Sequence, residues 1–204
     1  MTKIKLCGMM QMKDIEAANR LRPDLIGFVF ARKSRRYVTD VAASELRAAL
    51  SDQIPAAGVF VNEEIDHVVH LLNQGVIDLV QLHGDEDEAY MKELRHLTDA
   101  PFIKAFRIRE REDIAKVRAF DDNTTILLDA GSGDGMTFRW EWLKDADYDY
   151  FLAGGLTSEN VAAAVRNHHP YGVDVSSGIE TNGQKDVRKM EDFVITVRKE
   201  NDNA

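Results

Sequence analysis

The chain contains a single cysteine, Cys7, in 204 residues. One thiol excludes an internal disulfide, and no Cys/His spacing of the zinc-binding kind is present. No apolar run approaches the length of a membrane span, and the sequence enters its first apolar segment without an apolar signal region. Cytoplasm is therefore the expected location, with no membrane partner. Positive charge is in deficit: 26 Lys and Arg face 35 Asp and Glu, a formal net charge of −9. That balance argues against a nucleic-acid surface. An anionic ligand has to be held locally, by backbone amides, helix N-termini and a few placed Arg or Lys. A Gly-rich nucleotide loop is also missing, so no cofactor and no metal are expected. Interior linkers, repeats and low-complexity stretches are absent, which leaves a scaffolding role without support and gives no reason to expect an obligatory protein partner.

What is present is an alternation. Eight short apolar segments, at 3–7, 25–30, 57–61, 79–84, 102–106, 125–129, 150–155 and 172–176, are spaced by about a strand, a helix and two short loops. Between them lie helical stripes. Ile65, Val68, Val69, Leu71 and Leu72 line 63–74, Met91, Leu94 and Leu97 line 86–98, and Val187, Met190, Phe193, Val194 and Val197 line the last helix. Ser158 or Thr157 is expected to cap a helix over 159–166. Strand–helix alternation repeated eight times predicts a parallel α/β sheet closed into a single-domain (β/α)8 TIM barrel over 1–198, followed by a fraying polar tail at 199–204. An open doubly wound sheet is the competing topology, but Cys7-Gly8-Met9-Met10 lacks the Gly-rich turn it needs after the first strand.

Polar residues interrupt these apolar strands. Strand alternation puts Lys5 and Cys7 on one face, opposite Ile4 and Leu6, and an ammonium beside a thiol favours the thiolate. A lone free cysteine is more often buried filler, so its place in the architecture decides its meaning. Gln81, His83, Lys104, Asp129 and Asp174 also fall within or at the ends of apolar strands. Polar groups there are costly without partners, and the C-terminal mouth of a barrel is where its site is built. Two late segments suit a phosphate: Gly154 and Gly155 after the seventh strand, and Ser176, Ser177 and Gly178 after the eighth. Asp129 with Cys7 makes a plausible acid–base pair, and Arg36, in the charged run after the second strand, suits a carboxylate. The acidic run 85–88 is expected only to open a helix. His67, His70, His96, His168 and His169 are expected on helix surfaces.

The order of Lys5-Leu6-Cys7-Gly8, Gly27-Phe28-Val29-Phe30 with Ser34-Arg35-Arg36-Tyr37-Val38, and Val80-Gln81-Leu82-His83-Gly84 continues through Leu127-Leu128-Asp129, Leu152-Ala153-Gly154-Gly155-Leu156, and Val173-Asp174-Val175-Ser176-Ser177-Gly178-Ile179-Glu180 with Lys185-Asp186. In these motifs, over nearly its whole length, the chain resembles the phosphoribosylanthranilate isomerase family of tryptophan biosynthesis. The resemblance implies a cofactor-independent Amadori rearrangement of a phosphorylated sugar–anthranilate substrate. It further implies Asp129 as general acid at the furanose ring oxygen and Cys7 as the base that removes the C2 proton. Arg36 is then the essential substrate-binding arginine, and the phosphate lies against Gly154–Gly155 and Ser176–Gly178. Lys5, Gln81 and His83 are expected to bind substrate from their place as polar residues in strands near the mouth, apart from the resemblance. Asp174 is expected to face the anthranilate end. Lys5 as the group that tunes the thiol follows from strand parity and not from the resemblance.

One segment departs from the family pattern. Many members carry Gly-Gly-Thr-Gly followed by Phe-Asp-Trp after the sixth strand, where this chain has Gly133-Asp134-Gly135-Met136-Thr137-Phe138-Arg139-Trp140. Asp134 adds negative charge near a pocket for a dianion, but Asp129 and the glycines are kept, which reads as variation. A histidine-pathway isomerase on the same fold is expected to use paired aspartates, which Cys7 opposes. A phosphate-binding barrel without catalysis leaves the retention of both Cys7 and Asp129 without a reason.

Overall fold

The structure, a computed structural model, describes residues 1–117, 124–129 and 140–202. Each apolar segment forms a strand: β1 (Lys3–Cys7), β2 (Leu25–Val29), β3 (Ala56–Phe60), β4 (Leu79–Leu82), β5 (Phe102–Arg107), β6 (Thr124–Asp129), β7 (Tyr150–Ala153) and β8 (Gly172–Val175). The eight close into a barrel in sequence order, as expected from the alternation. Two further short strands, β9 (Glu180–Thr181) and β10 (Gln184–Lys185), form an antiparallel hairpin. The helices are α1 (Met12–Leu21), α2 (Asp40–Ala49), α3 (Ile65–Asn73), α4 (Glu88–Leu97), α5 (Arg111–Val117), α6 (Val161–His168) and α7 (Val187–Asp202). A 3-10 helix, Trp140–Asp145, precedes β7. The 133–139 part of the loop departure lies outside the described residues.

Local chemistry sets the helix ends. The Thr39 side chain accepts from the Ala42 amide at the start of α2, and Asp87 accepts from Tyr90 at the start of α4. Four sequence expectations shift. Met91 and Leu94 are buried but Leu97 is 53% exposed. Successive i, i+3 steps rotate the stripe, so that Leu97 stands about 120° around the helix from Met91. Helix α6 starts at Val161 and not at Glu159. The Thr157 hydroxyl accepts from the Glu159 amide and the Asn160 side chain from the Thr157 amide, a local turn that competes with the helix. Helix α7 continues through Asp202 past the expected boundary at 199. Asn201 exchanges two hydrogen bonds with the Thr2 backbone, and Glu200 pairs with Arg166 at 2.8 Å. His67 and His168 are partly buried and not surface residues. His67 stands edge-on to Phe30 and Phe60 and meets Asp40 at 3.0 Å. His168 packs on Trp140, and burial, then Lys144 and His169, push its pKa down.

The packing resolves into two compact units. In Cys7–Ala105, the parallel registers run Val59↔Gln81 and Leu82↔Lys104, and Phe30 stacks on Phe60 at 5.3 Å. The buried Lys104 ammonium donates to Glu86 Oε2 at 2.7 Å and to the Gly84 carbonyl at 2.9 Å. Glu86 in turn accepts from the Asn62 and Gly84 amides. One buried ion pair thereby ties the loops after β3 and β4 to β5. In the unit of Met1–Leu6 and Phe106–Ala204, β8 pairs with β1 and β7, and Met190, Phe193, Val194 and Val197 of α7 are fully buried.

Removing one partner of a buried pair leaves an uncompensated charge. Lys104→Met is expected to cost about 3–5 kcal/mol in denaturant unfolding. The double variant Lys104→Met with Glu86→Gln should recover part of that loss. Strict additivity of the two single effects would mean that the pair is not coupled.

Candidate active site

Strand β1 carries two of the expected site side chains, Lys5 and Cys7. Lys5 is fully buried and donates to Asp174 Oδ1 at 2.9 Å, its direct register neighbour on β8. A lysine in a strand is tolerated at full burial because a carboxylate faces it across one ladder step. Asp174, expected at the anthranilate end of a substrate, is thus held against Lys5. Cys7, the last residue of β1, is a buried thiol in no disulfide that packs with Val29 and Val59 and, at the edge, Ala31. The Gly8 and Met9 amides both donate to the Gly27 carbonyl, which fixes the chain immediately beyond the thiol.

On β4, Gln81 is 1% exposed and its amide lies 3.0 Å from His83 Nδ1, so the two expected binding residues form one unit. Among the described residues Gln81 Oε1 has no hydrogen-bond partner, a buried acceptor of the sort that a ligand or water satisfies. His83 is anchored through its own amide to the Phe60 carbonyl at 2.8 Å. Arg36 is partly buried in a turn pinned at both ends: its amide donates to Ser34 Oγ, while Tyr37 and Val38 fold back beside Val29. That anchoring fixes the backbone from which the guanidinium extends.

Asp129 is the last residue of β6 and is partly buried, with its carbonyl accepting from the Ile108 amide at 3.0 Å. After β7, Gly154 and Gly155 both adopt positive φ, at 86° and 69°, which a side chain would strain. After β8, a 3-10 turn, Ser177–Ile179, lies directly on that loop. A Cβ on Gly178 would sit 1.8 Å from the Leu156 carbonyl oxygen, so only glycine permits the two loops to meet. The expected phosphate residues Gly154, Gly155, Ser176, Ser177 and Gly178 therefore belong to two loops in mutual contact.

An open pocket of about 530 Å³ lies elsewhere, along the loops that begin α3 and α4, with Glu63, Glu64, Asp66, Asp85, Asp87 and Glu93 among its lining. Tyr90 in its wall has its pKa pushed up to about 12, first by burial and then by Glu86, Glu63 and their neighbours. A phosphate dianion is repelled there.

Three buried charged neighbours of the expected site residues escape sequence reasoning. Glu86 was expected only to open a helix, whereas it is buried and paired to Lys104, and Asp87 does the capping. Lys185 and Glu180 form a third buried pair at 2.9 Å behind Ser176. The available signal for Lys104 was its interruption of an apolar strand. Lys185 and Glu180 stand in a hairpin of two-residue strands, too short for a periodicity that flags burial.

Against this geometry stand three comparisons. The family model for N-(5'-phosphoribosyl)anthranilate (PRA) isomerase matches residues 4–196. The N-(5'-phosphoribosyl)anthranilate isomerase of Thermoanaerobacter sp. (strain X514) is 41% identical over 204 residues, covering 97% of this chain and 98% of that protein. The crystal structure of phosphoribosyl anthranilate isomerase from Thermotoga maritima superposes with a TM-score of 0.88 at 31% identity, over 98% of this chain and 100% of that one. A crystal structure of such an isomerase in complex with reduced 1-(o-carboxyphenylamino)-1-deoxyribulose 5-phosphate gives 0.87 at 30% identity, with the same coverage. Matched from its first strand into its last helix, the chain belongs to the N-(5'-phosphoribosyl)anthranilate isomerase family.

Proposed function

We propose that the protein isomerises N-(5'-phosphoribosyl)anthranilate to 1-(2-carboxyphenylamino)-1-deoxyribulose 5-phosphate, a step of tryptophan biosynthesis carried out in the cytoplasm. The observation that carries this reading is the unbroken family match from residue 4 to residue 196, over a chain whose β1 and β6 end in Cys7 and Asp129. Among the described residues no helix is long and apolar enough to cross a membrane.

The chemistry is a pair of proton transfers. Asp129, protonated, donates to the furanose ring oxygen. The C1–O bond then breaks and the anthranilate nitrogen supplies the electron pair that makes the iminium. Cys7, as thiolate, takes the proton from C2, and the electron pair left behind neutralises the iminium to give an enolamine. Tautomerisation moves the C2 hydroxyl proton away, adds a proton at C1 and leaves the ketone. Such general acid–base assistance contributes about 10²–10⁴-fold per group. Arg36 binds the anthranilate carboxylate through its planar fork, Gln81 and His83 hold the sugar end, and the glycine and serine loops after β7 and β8 take the phosphate. No cofactor is required because no electrons leave the substrate.

The base role asks for a thiolate among Val29 and Val59, surroundings that disfavour charge. Lys5 is the compensating cation in this reading, and Asp174 tempers it, because a neutral pair projects less field than a bare ammonium.

Loss of substrate fluorescence, followed for the wild type, Cys7→Ser and Asp129→Asn, checks the assignment. Each variant should lose about 10²-fold or more in kcat. Activity that survives in both sinks the mechanism, and a folded wild type without turnover favours a binding module.

Lys5 has its own signature in the pH profile. The acid limb of kcat/KM, where the thiolate takes up its proton, should move to higher pH in Lys5→Met and to lower pH in Asp174→Asn. Limbs that stay put in both variants would remove Lys5 from the role.

A further inference from the structure

Beyond β8 the chain makes a detour before α7. Asn182 and Gly183, both at positive φ, turn β9 back on β10 and set Lys185 directly opposite Glu180. The Asp186 amide closes the detour on the Ile179 carbonyl at 2.9 Å, and Lys189 donates to the Glu180 carbonyl at 2.7 Å. The result is a lysine whose side chain is 0% exposed, buried beneath the loop that follows β8.

Its ammonium donates to Glu180 Oε1 at 2.9 Å, to the Ser176 carbonyl at 2.9 Å and to Ser176 Oγ at 3.3 Å. An ammonium has three donors and no acceptor, so these contacts fix the polarity of what it touches. Pinning the Ser176 carbonyl toward Lys185 turns the N–H of the same trans peptide, that of Ser177, the opposite way. That presents the Ser177 amide as a donor on the side of the loop away from Lys185. Glu180 meanwhile balances the charge, so the lysine orients and does not attract.

We infer that Lys185 is a positioning residue for the phosphate of the substrate, acting through Ser176 and the Ser177 amide and not through its own charge. The inference rests on the phosphate role proposed above for the loop after β8. It assigns the β9–β10 detour a purpose: to return one cation beneath the loop with a carboxylate already attached.

The test measures KM and kcat with phosphoribosylanthranilate, together with inhibition by inorganic phosphate and by anthranilate, which carries no phosphate. Lys185→Met should weaken phosphate inhibition and raise KM by about tenfold, the equivalent of one charge-assisted hydrogen bond. Inhibition by anthranilate and kcat should stay near wild type. Because Lys185→Met strands Glu180, the double variant Lys185→Met with Glu180→Gln is measured beside it. It should regain thermal stability without regaining phosphate affinity, whereas Glu180→Gln alone should keep phosphate affinity. A double variant that binds phosphate like the wild type overturns the inference, as does a parallel fall in phosphate and anthranilate affinity. If the wild type shows no turnover, the isomerase reading fails, and calorimetric titration of inorganic phosphate into the same variants still decides the role of Lys185.

Discussion

A charged group can be buried in a strand-lined interior only if another group neutralises it and takes its hydrogen bonds. Lys5, Lys104 and Lys185 are each buried, and each meets a buried carboxylate, Asp174, Glu86 and Glu180 respectively. Each pair holds something beyond itself. Lys5 and Asp174 lock the register of β1 against β8. Lys104 and Glu86 gather the loops after β3 and β4, including the Gly84 amide and carbonyl beside His83. Lys185 and Glu180 support Ser176. Each pair thus adds a buried anchor to the backbone around residues expected at the site.

The same arrangement answers the electrostatic problem of the chain. A protein with a net charge of −9 that binds a dianion cannot rely on its overall field. It can rely on oriented backbone amides, which carry no net charge and need only be aimed. Glycines at positive φ after β7 and the glycine contact at Gly178 let two loops close against each other. In the proposed reading, oriented peptides from both loops take the substrate phosphate.

Much of this was legible in the residues. The eight strands follow from apolar segments at regular spacing, because burial on both faces demands them. Cys7 and Asp129 stood out at the ends of such segments, and Asp174 because it interrupts one. Lys104 stood out for the same reason, but its partner did not. Glu86 lies in an acidic run before a helix, a pattern that capping explains equally well, and only the fold shows that Asp87 caps while Glu86 turns inward. The start of α6 was misplaced because Thr157, Ser158 and Asn160 all offer capping oxygens, and choosing among them takes the actual turn bonds. The end of α7 depends on Asn201 reaching Thr2, a contact between residues 199 positions apart that no local pattern encodes. Lys185 sits in a hairpin with no periodicity to betray its burial.

The account stands on Cys7 working as a thiolate. Because it is the only cysteine, ultraviolet absorbance of the thiolate, with Cys7→Ser as the blank, reports on this one group across a pH titration. The account predicts that the absorbance and the acid limb of kcat/KM share one midpoint, and that both move together when Lys5 is replaced by Met. An acid limb that falls where the thiol has not begun to titrate would contradict it.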